Sequence, residues 1–145
     1  MTKTRKLQIK ADCDDLWSFL VKAGGKCEHC NSNSRLNAHH YWSRSCLSTR
    51  FDLDNGFCLC VSCHVLSSGF SAHKTPAEFV DWAREYRGQA WEDELRSKKN
   101  QILKLTEQDY EDLRASLIHL ALQQSQTNPL IVRLIQRVEK ELAMT

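Results

Sequence analysis

The chain has 145 residues, 41% of them hydrophobic and 26% charged. These proportions describe one globular domain with room for an appended helical piece. No stretch approaches the roughly 20 apolar residues of a membrane span, and the polar, basic residues 1–10 are not a secretory signal, so a cytoplasmic protein without membrane partners is expected. The net charge of +2 divides into +4 over residues 1–75 and −2 over residues 76–145, and a mildly positive first half suits a polyanionic partner.

In chain order, residues 1–11 read as a flexible basic arm. Leu16, Trp17, Phe19, Leu20 and Ala23 supply one apolar face of a short helix over residues 12–22, which Gly24-Gly25 ends. Cys27-Glu28-His29-Cys30 and the polar residues 31–37 read as a metal knuckle and its loop. Residues 36–43 form a short strand containing His39-His40, and residues 43–50 form a loop carrying Arg44 and Arg50. A turn at 52–56 leads into a second strand at 56–60, antiparallel to the first. A helix begins at 61–66, which places Cys60, Cys63 and His64 at the strand-to-helix junction.

Thr75-Pro76-Ala77-Glu78 has the form of a helix start, with Glu78 in capping-box register, and its helix ends near Gly88. A further helical run covers 90–99 with Trp91 and Leu95. Thr106-x-x-Asp109 opens another helix, striped by Leu113, Leu117, Leu120 and Ala121. After Asn128-Pro129 a last helix covers 130–142, with Leu130, Leu134, Ile135 and Val138 on one side. The elements make an α+β chain that is mostly helical. Its expected boundaries are an arm at 1–11, a site-bearing domain at 12–88 and a helical C-terminal extension at 89–145. That extension serves packing, homodimerisation or docking to a partner.

Seven cysteines are many for a reducing compartment. Four of them form two Cys-x-x-Cys pairs, and two such turns present four thiolates to zinc in a tetrahedron with little backbone strain. Cys27 and Cys30 precede the hairpin and Cys60 and Cys63 follow it, so one structural zinc would tie both ends of a small core. Cys58 could replace Cys60, although a two-residue spacer makes the better knuckle. Cys13, Cys46 and Cys58 otherwise read as small buried hydrophobes. On a regular strand His39 and His40 point to opposite faces, so one can bind a metal while the other faces a substrate. His29 and His119 are assigned no chemistry, and Trp17, Trp42, Trp82 and Trp91 are assigned to packing.

His39-His40, Asn55 and His64, set between Cys27/Cys30 and Cys60/Cys63, resemble the His-Asn-His (HNH) endonucleases, in the variety with an extra four-cysteine zinc. Thr49-Arg50-Phe51-Asp52-Leu53-Asp54-Asn55 and Pro76-Ala77-Glu78-Phe79 look similar to small phage-encoded members, including recombination nucleases of the Rap/NinG type. The resemblance covers residues 12–87. It implies a ββα-metal core with flanking helices, a site in the host-cell cytoplasm if phage-encoded, and metal-dependent hydrolysis of DNA phosphodiester bonds by nicking or double-strand cutting. The products would be 5′-phosphate and 3′-hydroxyl ends.

By the same resemblance His40 is the general base, Asn55 orients the loop that holds it, and His39 and His64 ligate one catalytic divalent metal (Mg, Mn, Ni or Zn). His73 stands nine positions after His64 and is either a further ligand or a DNA contact. Arg44 and Arg50 are candidate phosphate contacts. The partner is double-stranded DNA, narrowed in one alternative to branched recombination intermediates. A second alternative is a non-catalytic zinc-dependent DNA-binding module.

Overall fold

A computed structural model of the chain describes residues 3–124 and 128–145. The chain is mostly helical, with a two-stranded antiparallel sheet. It divides into two compact units, Met1–Ala23 with Leu105–Thr145, and Gly24–Lys104. Among the described residues, no helix is long and apolar enough to cross a membrane.

Gly24–Lys104 carries the sheet. β1 (Leu36–His40) pairs with β2 (Gly56–Cys60), with His39 opposite Phe57 and His40 opposite Gly56. β2 has the expected bounds, but β1 stops at His40 rather than residue 43. Asn55 causes the stop: its side chain accepts from the Trp42 backbone N–H at 2.7 Å and donates to the Trp42 carbonyl at 3.0 Å, turning the chain away. Between the strands the expected 43–50 loop ends in one helical turn, α2 (Leu47–Arg50), followed by a 3₁₀ turn at Leu53–Asn55. After β2 comes a single π-helical turn, Ser62–Leu66.

α3 (Pro76–Arg87) and α4 (Gln89–Lys99) complete this unit. Phe79 and Ala83 of α3 join Phe57, Leu59, Ala72 and the buried clamp cysteines in one core. The expected capping box at Thr75 is not formed. Thr75 Oγ1 instead accepts from the Ser71 N–H (2.8 Å) and donates to the Ser71 carbonyl (3.0 Å), closing the loop before the helix.

α4 belongs with the hairpin, not with a C-terminal extension. Trp91 Nε1 donates to the Asp54 carbonyl at 2.9 Å, and Lys98 pairs with Asp52 at 2.8 Å. Glu92, fully buried, accepts from Tyr41 Oη at 3.0 Å and from Arg84 and Arg96. Cys46, expected to be buried, is only half-buried, and its thiol donates to the Lys99 carbonyl at 3.5 Å.

The other unit is built from α1 (Lys3–Val21), α5 (Glu107–Leu122) and α6 (Pro129–Ala143). α1 corrects the expected basic arm: from Lys3 onward that segment is helix, while residues 1 and 2 lie outside the described residues. Its first turns are held because Arg5 pairs with Glu111 at 2.8 Å and Lys6 Nζ donates to the Leu105 carbonyl at 3.1 Å. Ile9, Asp12, Cys13, Leu16 and Trp17 then form its buried stripe. α5 starts at the expected Thr106–Asp109 capping box.

The buried stripe of α5 is Tyr110, Arg114, Leu117 and Ala121, leaving Leu120 exposed. Arg114 takes a core position because buried Asp12 accepts from its Nη1 at 2.7 Å. In α6 Ile131, not Leu130, completes the stripe with Leu134, Ile135 and Val138. The expected division at residues 11/12 and 88/89 therefore differs from the compact units, because α1 packs with α5 and α4 packs with the hairpin.

Hydrogen bonds from Arg84 first, then Arg96 and Tyr41, pull Glu92 from 4.5 down to about 2. A carboxylate depressed in the folded state contributes stability fully present above about pH 4.5 and lost as the pH falls toward 2. Glu92→Gln should lower the melting temperature at pH 7 by several degrees and flatten the stability loss between pH 4.5 and 3, read by thermal melts across that range.

Candidate metal centres

The first knuckle is a tight turn. Asn31 adopts a left-handed φ of 63°, its N–H donates to the Cys27 carbonyl at 2.9 Å, and the Cys27 N–H donates to the Ser32 carbonyl at 2.8 Å. The knuckle is fastened to the outer side of β2: the Glu28 N–H donates to the Cys58 carbonyl (2.8 Å), and the Cys58 N–H donates to the Glu28 carboxylate (2.6 Å). Arg87 locks this join, pairing with Glu28 at 2.8 Å, donating to the Gly56 carbonyl at 2.7 Å and lying 3.6 Å over the Phe57 ring. Cys58 is therefore buried in the join, and Cys60 faces the clamp.

The Sγ atoms of Cys27, Cys30, Cys60 and Cys63 all lie within 4.8 Å of one another, with Cys30 and Cys60 at 3.6 Å. All four are free thiols. A tetrahedral zinc–sulfur site with bonds of about 2.3 Å requires sulfurs roughly 3.8 Å apart, so the four cysteines can hold a structural metal such as zinc. The Cys63 N–H points at Cys60 Sγ at 3.5 Å, as second-knuckle geometry requires.

His39, His64 and His73 form a second cluster, their ligand nitrogens also within 4.8 Å of one another. β1 supplies His39, the π turn supplies His64, and the Ser67–Phe70 loop delivers His73. Backbone pairing places the last: the Ala72 N–H donates to the Cys63 carbonyl (2.9 Å) and the His73 N–H to the His64 carbonyl (3.0 Å). The nine-residue gap after His64 is thus closed by two hydrogen bonds.

His39 packs edge-on against Phe79 at 5.1 Å. Burial first, then the neighbouring His64, His73 and His40, pulls it down to about 3. Burial, then His73, likewise lowers His64. Neutral imidazoles keep the lone pairs that a metal takes up. His73 is exposed, so the cluster opens to solvent. Three imidazoles with an open side are a donor set for zinc, nickel or copper more than for magnesium, which prefers oxygen.

His40 lies outside this cluster. Its Nε2 is 3.0 Å from the Arg50 carbonyl, and a carbonyl only accepts, so Nε2 carries the proton and Nδ1 is the acceptor nitrogen. Asn55, fully buried, holds the backbone just after His40 through Trp42. Arg50 Nη1 donates to the Arg44 carbonyl at 3.0 Å, so this guanidinium braces the loop, while Arg44 itself is exposed. His29 was assigned no chemistry from the sequence, yet its Nδ1 lies 3.3 Å from Cys63 Sγ. Its place inside the knuckle was the signal that could have found it. His119 contacts Gln123, the residue capping the end of α5, at 3.1 Å.

No family model, curated protein or solved structure matches the chain, so a functional reading rests on these two clusters and their surroundings.

Cys60→Ala should abolish zinc retention after dialysis against a weak chelator and lower the melting temperature by about 10 °C or more, because metal affinity of this kind is folding free energy; metal analysis and thermal unfolding read both. Asn55→Ala should cost about 2 kcal/mol in urea unfolding, the penalty for leaving the Trp42 backbone groups unpaired.

Proposed function

We propose that this protein is a metal-dependent DNA endonuclease of the HNH kind, its Gly24–Lys104 unit serving as a ββα-metal core. One observation carries the reading. A cluster of three potential metal ligands, His39, His64 and His73, has His39 on the same strand as His40, whose tautomer is set by the Arg50 carbonyl. A zinc knuckle that served only as a binding module needs neither the second cluster nor an oriented imidazole.

In this reading His40 Nδ1 takes a proton from water as the water oxygen attacks phosphorus. The bond from phosphorus to the 3′ oxygen breaks, that oxygen takes a proton from solvent water while His40 returns its own to solvent, and the ends left are 5′-phosphate and 3′-hydroxyl. When bound at the three histidines, a divalent ion supplies charge stabilisation to the phosphate and the departing oxygen. Asn55 holds the Trp42 backbone, which keeps the end of β1 and hence His40 in register. Tyr41, anchored on Glu92, fixes the same strand end from the other side. In this reading the exposed Arg44 is a candidate phosphate contact, and the net +2 of residues 24–104, eleven Lys/Arg against nine Asp/Glu, favours a polyanion.

The test is nicking of supercoiled plasmid with EDTA or with Mg, Mn, Ni or Zn, beside His40→Ala. Metal-dependent nicking that falls at least about 100-fold in the variant, the usual worth of a general base, is expected. No nicking with any ion would leave a DNA-binding module, and equal nicking by both proteins would remove His40 from its role. A four-way junction assayed beside linear duplex reads out any preference for branched DNA.

A further inference from the structure

His29 touches the supports of two members of the histidine cluster, and reaches that of the third through one more ring. Its Nδ1 is 3.3 Å from Cys63 Sγ, and Cys63 directly precedes His64. Its ring lies flat on Phe70, with centroids 3.6 Å apart and planes 6° from parallel. Phe70 belongs to the loop that delivers His73, a loop tightened where Ser67 Oγ accepts from the Gly69 and Phe70 N–H groups at 3.2 and 3.3 Å. Phe70 also leans on Phe79 at 6.3 Å, and the Phe79 ring meets His39 edge-on at 5.1 Å. One imidazole in the cysteine knuckle thus reaches toward all three histidines of the second cluster.

A ligand thiolate is an acceptor, so the Nδ1–H of His29 is the donor. Outer contacts of this type orient a metal ligand and draw charge from its sulfur. The stack on Phe70 acts separately, by holding the loop that carries His73.

We propose that His29 is a positioning residue for the histidine cluster, coupling it to the cysteine clamp through the hydrogen bond to Cys63 and the stack on Phe70. The proposal rests on the reading that His39, His64 and His73 hold a divalent ion. Its consequence is that spacing within the second cluster depends on a side chain that is no ligand of either.

The experiment titrates cobalt(II) into the full-length protein loaded with one equivalent of zinc, enough for the cysteine clamp alone, and follows the visible absorption of cobalt bound at imidazoles. His29→Ala should weaken that binding about tenfold, the usual size of a lost outer-shell contact, and should add a smaller loss in a His73→Ala background, where only the route through Cys63 and His64 is left to lose. His29→Phe keeps the stack and loses the donor. It should bind cobalt at the histidines more tightly than His29→Ala does, and with cobalt in the cysteine clamp its sulfur-to-metal charge-transfer band should shift from the wild-type position. A merely space-filling ring predicts no such shift.

Wild-type affinity in a folded His29→Ala protein would overturn the proposal, as would an undiminished loss in the His73→Ala background. If His29→Ala does not fold, the band position in His29→Phe decides, an unshifted band overturning it. A zinc-loaded wild type that takes up no cobalt, or takes it up equally after His39→Ala, removes the metal-cluster reading itself and the proposal with it.

Discussion

Convergence of two Cys-x-x-Cys turns at the open end of one hairpin, where Leu36 pairs with Cys60, is the constraint on which the Gly24–Lys104 unit depends. Each strand has five residues, and an isolated two-stranded hairpin is marginal in water. Cys27 and Cys30 arrive before β1 and Cys60 and Cys63 leave β2, so a single ion across the four thiolates would close the loop that contains the whole hairpin. The same closure would fix the start of the π turn, and with it the position of His64.

Around the clamp, charged groups do the aligning that so small an apolar core cannot do alone. The Glu28 carboxylate is shared between the Cys58 N–H and Arg87, which joins knuckle, strand and α3. Glu92 gathers Tyr41, Arg84 and Arg96, which joins the end of β1 to α3 and α4. A buried carboxylate costs desolvation unless its acceptor sites are filled, and here several donors fill them. Such networks specify one arrangement of elements more than they add stability, and one arrangement is what a cluster of side-chain ligands needs.

Much of this was legible in local pattern. The cysteine pairs carry their chemistry in their spacing, β2 is bounded by a turn before it and a knuckle after it, and the Thr106–Asp109 cap is a four-residue signal. The stripes of α5 and α6 were read correctly at Leu117, Ala121, Leu134, Ile135 and Val138, and one of the misses on α5 has a long-range cause. Arg114 is buried because Asp12, 102 residues away, receives it, and no window on α5 contains that fact. The helical start of α1 depended likewise on Glu111 and Leu105, distant in sequence from Arg5 and Lys6.

The histidines divide along the same line. That His39 and His40 face apart follows from the two-residue period of a strand, and that His64 is held beside a clamp follows from its adjacency to Cys63. His73 was open in the sequence, because a gap of nine residues says nothing about where a loop returns. Two backbone hydrogen bonds to Cys63 and His64 bring it back, and the stack of Phe70 on His29 braces the loop between. The sequence by itself determined the metal-binding residue types and their local geometry, since these depend on spacings of a few residues. Only the tertiary structure decided which distant side chains meet, because those meetings depend on loop closure and on burial shared between elements.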